Sequence, residues 1–194
     1  MTSTHTTGGP VDAVPAVSAP AGVVTTAVER ALSAGHWLLV SAPLRAQARV
    51  EWEERGAAWL RPGVLFAAVS MPADVLHAAL GSSSPQECAG RIVEEVEQGP
   101  VFYSPDGFQQ KGSYTALVPA RVARLRILLP GAVTCPQRAL LLVPAPGRTE
   151  PEEGGPWWVS PPSGPALLCP PERVAELACA GRAHLVRSKG RRDA

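Results

Sequence analysis

Four stretches of the chain combine a helix start signal with apolar residues at helical spacing. Thr26 and Glu29 have capping-box spacing in front of the first stretch, and Gly35 is expected to end that helix. Ser84 and Glu87 repeat this spacing in front of another helix. Two more helices are predicted to start at Pro72 and Pro171, and Leu44–Glu54 is a weakly periodic connection rich in good helix formers.

Short, mostly apolar and β-favouring runs separated by Gly, Pro and polar residues predict strands. The two runs at 101–104 and 113–118 are joined by a turn containing Pro105-Asp106-Gly107, which predicts a hairpin or a pair of neighbouring strands. The other runs lie at 36–41, 64–70, 139–143 and 157–159. The pattern predicts a mixed α+β (α/β) fold, a single domain with a central mixed sheet flanked by helices.

Trp157 and Trp158 are adjacent in a predicted strand. Neighbouring strand residues point to opposite faces of a sheet, so one indole is expected to be exposed. In a chain with only 5% aromatic residues, the other tryptophans are predicted to anchor the core.

Length and composition fit one domain, because 194 residues with 45% apolar content suffice for a sizeable core. Residues 25–186 are predicted to form it, between a disordered leader at 1–24 and a basic tail at 187–194. No signal peptide or membrane-spanning run is apparent, which predicts a cytoplasmic protein without a membrane partner. The net charge of +1 provides no strong overall attraction to nucleic acid, so any such binding must be local.

Common catalytic and cofactor motifs do not occur in the sequence. It contains no G-x-S-x-G elbow, no P-loop and no G-x-G-x-x-G. The four cysteines are scattered without a C-x-x-C pair, so no metal site is predicted and the thiols are expected to be reduced. A common cofactor enzyme is therefore disfavoured.

A set of Gly, Pro, Trp and apolar positions over residues 25 to 185 has a recognisable order. The set comprises Gly35-His36-Trp37, Pro43, Trp52, Pro62-Gly63, Pro72, Gly99-Pro100-Val101 and Leu117-Val118-Pro119. This order resembles the N-terminal domain of bifunctional DNA primase/polymerases of the archaeo-eukaryotic primase superfamily, in particular its short stand-alone actinobacterial members.

The resemblance implies where the catalytic residues would lie. Active members carry an acidic pair at the end of the central strand and a histidine on the later hairpin. The corresponding positions here are Val69, Met71 and Ser113, none of which supplies an anionic metal ligand. The site is therefore interpreted as degenerate, with no catalytic residue, no metal site and no cofactor.

Two carboxylates offer a fallback for this chemistry. Asp74 and Asp106 are the aspartates nearest these positions, and His77 follows Asp74 by three residues. Asp74 equally suits the first turn of a helix and Asp106 a tight turn. Mg²⁺ is expected only if these residues form a relocated active site.

Five arginines are the candidates for contacts with nucleic-acid phosphates. Arg121 and Arg124 share one side if their segment is helical, and a solvated helix face explains such a row equally well. The complete set is Arg121, Arg124, Arg126, Arg182 and Arg187.

These observations predict a catalytically degenerate primase/polymerase-like domain that binds single-stranded DNA or a nucleotide, or acts as a regulatory module. Two alternatives stay open at this point. One is an active metal-dependent nucleotidyltransferase with relocated carboxylates. The other is a protein-interaction domain with no nucleic-acid role, for which a protein is the partner.

Overall fold

The computed structural model describes residues 26–124, 129–151 and 154–192. The described residues form seven strands, six helices and one 3₁₀ helix at Ala120–Arg124. The helices are α1 (Ala27–Leu39), α2 (Arg45–Arg55), α3 (Ala73–Leu80), α4 (Pro85–Glu95), α5 (Gly107–Gln110) and α6 (Pro171–Arg192). The strands are β1 (Ala57–Leu60), β2 (Phe66–Pro72), β3 (Val101–Ser104), β4 (Ser113–Pro119), β5 (Val133–Thr134), β6 (Leu141–Pro144) and β7 (Trp157–Ser160).

A five-stranded sheet with the strand order β5-β2-β4-β3-β7 lies at the centre of the domain. The strands β1 and β6 form a separate two-stranded ribbon. The mixed α+β class and the single domain are confirmed. Within the sheets themselves, each pair of described strands is antiparallel, whereas a mixed sheet was expected.

One face of the central sheet packs against three helices. Alternate residues of β2 (Ala67, Val69 and Met71) point to this face, together with Tyr114 and Ala116 of β4. The opposing apolar side chains come from α3, α4 and α6. This face and these helices form the larger of the two hydrophobic clusters.

The other face of the same sheet is also covered. Phe66 and Ala68 of β2, Leu117 of β4 and Trp158 of β7 contribute to a second cluster. Helices α1 and α2 and the β1–β6 ribbon pack against this face and contribute to the same cluster. The sheet is therefore the middle of three layers, and its central strands are mostly apolar on both faces.

The predicted strand at residues 36–41 is wrong, because helix α1 continues through this run to Leu39. Gly35 does not end the helix. A Cβ at this position would lie 3.1 Å from Cγ of Pro146, so the glycine serves close packing between α1 and the segment after β6. Ala34, Gly35, Leu38 and Leu39 then form one buried helical stripe.

The two helix N-termini predicted from capping-box spacing are present, with different caps. Thr26 accepts a hydrogen bond from the Glu29 amide, and the Glu29 side chain returns one to the Thr26 amide, so this capping box is confirmed. At α4, Ser84 accepts from the Glu87 amide. The Glu87 carboxylate accepts instead from the amide and hydroxyl of Ser83, one residue earlier than a capping box requires.

The hairpin prediction is confirmed, since β3 and β4 pair antiparallel with Tyr103 opposite Tyr114. The expected exposure of one tryptophan is wrong. Trp157 and Trp158 point to opposite faces of the sheet and are 5% and 1% exposed, because both faces are covered by other elements. The Trp158 indole donates to the Ala145 carbonyl at 3.0 Å, which satisfies its polar group.

The predicted basic tail is part of helix α6, whereas two other predicted features lie outside the described residues. The predicted leader at residues 1–24 and the site residue Arg126 lie outside the described residues. Helix α6 continues through most of the predicted basic tail and ends at Arg192. Arg187 is therefore an exposed helical residue.

The contact between α3 and α6 depends on Gly181. A Cβ at this position would overlap the Val75 carbonyl oxygen, so we expect Gly181→Ala to push the two helices apart and lower the free energy of unfolding by about 1–3 kcal/mol. Urea denaturation checks this value. Gly90→Ala is the matched control, because nothing lies within 4 Å of its Cβ position in α4 and helix propensity alone should stabilise the protein by about 0.5–1 kcal/mol. Equal effects of the two substitutions would contradict the packing argument.

Candidate functional site

The positions that correspond to the acidic pair belong to the core. Val69 and Met71 are each 1% exposed and point from β2 toward the helices α3, α4 and α6. A carboxylate in either place would lose its hydration against apolar neighbours. The structure thus gives both positions a packing role.

Ser113 does not join them on that face. The strand register places Ser113 opposite Pro72 and Tyr114 opposite Met71. Since paired residues of an antiparallel ladder point to the same face, Met71 and Ser113 point to opposite faces. The three positions named by the resemblance therefore lie on neighbouring strands without converging on one site.

A cavity of about 490 Å³ opens where the central strand β2 ends. Its size is within the range typical of ligand sites. Three exposed charged side chains contribute to its wall, namely Asp74 of α3, Lys111 after α5 and Arg182 of α6. The remaining lining residues are Pro72, Val75, Phe108, Gln109, Gly131 and Leu185.

One wall of this cavity is a backbone turn of rare conformation. Phe108 and Gln109 have φ values of 47° and 62°, and Gln110 has 63°. This is the left-handed region, which costs a non-glycine residue about 1–3 kcal/mol. The helical turn α5 is accordingly left-handed, and it places Phe108 and Gln109 on the cavity wall.

Contacts at both ends of the turn hold this conformation. A Cβ on Gly107 would overlap the Ser113 hydroxyl, and a Cβ on Gly112 would overlap the Tyr103 hydroxyl. The Gly112 carbonyl also accepts a hydrogen bond of 3.0 Å from the Ala73 amide at the start of α3. The turn is thus attached to β3, β4 and α3.

His77 bonds to the core instead of to the fallback carboxylates. Its Nε2 atom lies 2.8 Å from the Tyr114 hydroxyl, and the two rings meet edge to face at 5.7 Å. Burial lowers the pKa of His77, although the Asp74 and Glu87 carboxylates act in the opposite direction. Burial also raises the pKa of Tyr114. The pair is a hydrogen-bonded polar contact within the larger cluster.

The two fallback aspartates have different settings. Asp74 lines the cavity, whereas Asp106 is an exposed residue in front of α5. Across residues 26–124, 129–151 and 154–192, no group of three or more His, Cys, Asp or Glu side chains is arranged to hold a metal ion.

The candidate arginines divide into separate locations. Arg121 and Arg124 are exposed on the 3₁₀ helix, where residues three apart lie on the same side. Arg182 lines the cavity at the end of β2, and Arg187 lies farther along α6. The structure therefore brings Arg182 together with Lys111 and Asp74.

Two residues of this cavity were missed by the sequence interpretation. Lys111 and Phe108 lie just after the turn Pro105-Asp106-Gly107, a signal that predicted only a hairpin connection. Nothing in the residue types of Phe108, Gln109 and Gln110 indicates a left-handed backbone, because that conformation normally selects glycine or asparagine.

Comparison with known proteins identifies no relative. No protein-family model, no curated protein and no solved structure matches this chain. The primase/polymerase resemblance stays a prediction. Among the helices that the structure describes, none is long and apolar enough to cross a membrane.

The buried setting of His77 predicts a pH-dependent stability. Because its pKa is lowered on folding, protons bind more readily to the unfolded chain as the pH falls below the ordinary value of 6.5. We expect the melting temperature to decrease just below pH 6.5 and His77→Gln to reduce that decrease. Thermal unfolding between pH 7.5 and 5 measures this decrease in melting temperature. His184→Gln is the control, because His184 is exposed. A pH dependence that is identical in the wild type and His77→Gln would contradict this assignment.

The left-handed turn predicts a stabilising glycine. Gln110 is exposed, is not part of the cavity wall and has a φ of 63°, so Gln110→Gly removes the steric cost of that conformation. We expect the free energy of unfolding to rise by about 0.5–1 kcal/mol. The same change at exposed Gln86 in α4 should destabilise the protein by a similar amount, because glycine is a poor helix former. Denaturant titration of both variants checks the opposite signs, and a destabilised Gln110→Gly variant would contradict the strain argument.

Proposed function

We propose that this chain is a cytoplasmic, catalytically degenerate primase/polymerase-like module that binds a nucleotide or single-stranded nucleic acid. The observation that carries the proposal is the pair of cationic side chains, Lys111 and Arg182, on the wall of the cavity at the end of the central strand. The ligand would contact this pair through its phosphate groups.

The charges of the cavity favour an anionic ligand. Lys111 and Arg182 contribute two positive charges and Asp74 one negative charge, which leaves one positive charge on the wall. An arginine guanidinium bonds phosphate oxygens with two parallel N–H groups, while lysine acts as a point charge. All three side chains are exposed, so a ligand meets them without prior rearrangement of the core.

The degenerate interpretation is supported by the packing of Val69 and Met71. Both side chains are core residues, and neither carries an oxygen ligand for a divalent cation. Arg121 and Arg124 offer a second, exposed pair of cations for a ligand longer than one nucleotide. They do not line the cavity, so they are secondary to Lys111 and Arg182 in this proposal.

Binding measurements at several salt concentrations test the function. We expect a single-stranded oligonucleotide and a nucleoside triphosphate to bind the wild type, with Lys111→Ala and Arg182→Ala each weakening binding by about three- to tenfold. Each lost phosphate contact should also reduce the salt slope of log K by about 1. Fluorescence anisotropy measures the affinity for the oligonucleotide, and calorimetry measures the affinity for the nucleoside triphosphate.

Arg45→Ala is the matched control for these variants. Arg45 is exposed at the start of α2, on the opposite side of the central sheet, so its loss should leave affinity unchanged. If Arg45→Ala weakens binding as much as Lys111→Ala and Arg182→Ala, the binding is diffuse and this cavity is not its site.

The enzyme alternative has its own experiment. Metal-dependent nucleotide incorporation on a primed template, lost in the double variant Asp74→Ala/Asp106→Ala, would establish an active nucleotidyltransferase with relocated carboxylates. Absence of any affinity for nucleotides and oligonucleotides would favour the protein-interaction alternative.

A further inference from the structure

We infer that Phe108 is a stacking platform, so that the ligand of the cavity carries a planar ring beside its anionic group, as a nucleotide does. This inference rests on the proposed function and adds the part of the ligand that the cations do not recognise. It makes Phe108 the specificity-determining residue of the site.

Phe108 differs from the other phenylalanines of the chain. Phe66 and Phe102 are 0% and 1% exposed in the core, whereas Phe108 is 37% exposed on the cavity wall. Single exposed apolar side chains are common and need no explanation by themselves. Here the exposed ring stands on a backbone that is itself strained and firmly held.

The strained backbone is the observation that singles out this ring as functional. With a φ of 47° and a ψ of 61°, Phe108 is held in a conformation that β-turns normally leave to glycine or asparagine. The close packing of Gly107 on Ser113 and of Gly112 on Tyr103 maintains it. A backbone held in place before a ligand arrives loses little conformational entropy on binding.

The neighbours of Phe108 define the rest of the ligand. Gln109 contributes an amide, with donors and an acceptor that suit the polar edge of a nucleobase. Lys111 and Arg182 line the same cavity, so a ring on Phe108 and an anionic group on the cations are compatible with one molecule. An aromatic face stacks on any base, which predicts selectivity for a ring rather than for one base.

Two probes separate the ring from the phosphates. ATP carries both, and inorganic tripolyphosphate carries only the anionic part. We expect Phe108→Ala and Phe108→Leu to weaken ATP binding by about tenfold or more, since base stacking on an aromatic side chain contributes that much. Phe108→Tyr and Phe108→Trp should retain ATP affinity, and all four variants should bind tripolyphosphate as the wild type does.

The outcomes distinguish this inference from the proposed function. Unchanged ATP affinity in Phe108→Ala, with tripolyphosphate still bound, overturns the stacking role and leaves the phosphate site intact. Equal weakening of both probes also overturns it, because the ring would then act only through the shape of the turn. If wild-type protein binds neither probe, this inference is overturned, and the proposed function is wrong as well if the single-stranded oligonucleotide also fails to bind. Circular dichroism of each variant verifies that the fold is retained.

Discussion

Burial of both faces of β2 is the constraint on which the rest of the structure depends. Phe66 and Ala68 pack under the layer of α1, α2 and the ribbon, while Ala67, Val69 and Met71 pack under α3, α4 and α6. A strand covered on both faces cannot hold an unpaired ionised side chain, because that charge would be desolvated without a partner. The Ser70 hydroxyl is tolerated in β2 because it is hydrogen-bonded to the Thr115 hydroxyl at 2.8 Å. The same requirement that builds the core therefore excludes anionic metal ligands from Val69 and Met71.

Local signals in the sequence were sufficient for most of the fold. The Thr26–Glu29 capping box, the start of α4 at Ser84 and the β3–β4 hairpin each depend on residues close together in the chain. The strand prediction at 36–41 was wrong because a short apolar run fits both the helical and the strand periodicity. Gly35 also resembled a helix stop signal. Only the tertiary contact with Pro146 explains this glycine, and no local pattern contains that contact.

The candidate site was harder to predict than the fold. Its wall combines Asp74, Lys111 and Arg182 from three separate segments. The packing of α6 against α3 and the hydrogen bond between the Ala73 amide and the Gly112 carbonyl bring these segments together. Arg182 was found through its charge, while Phe108 was missed because an aromatic residue in a turn-rich connection has no distinctive signature. The left-handed backbone that exposes its ring is maintained by packing against Ser113 and Tyr103, so the residue types within the turn alone do not reveal it.

The small side chain at position 113 is a requirement of the cavity wall. Ser113 is 5% exposed, and its hydroxyl occupies the space next to Gly107 where a Cβ would stand. A histidine, which the resemblance implies for active members, has an imidazole too large for this space unless the turn moves. The turn that carries Phe108 and leads to Lys111 therefore requires a small residue at position 113. In this fold, the present cavity wall and a histidine at position 113 therefore exclude each other.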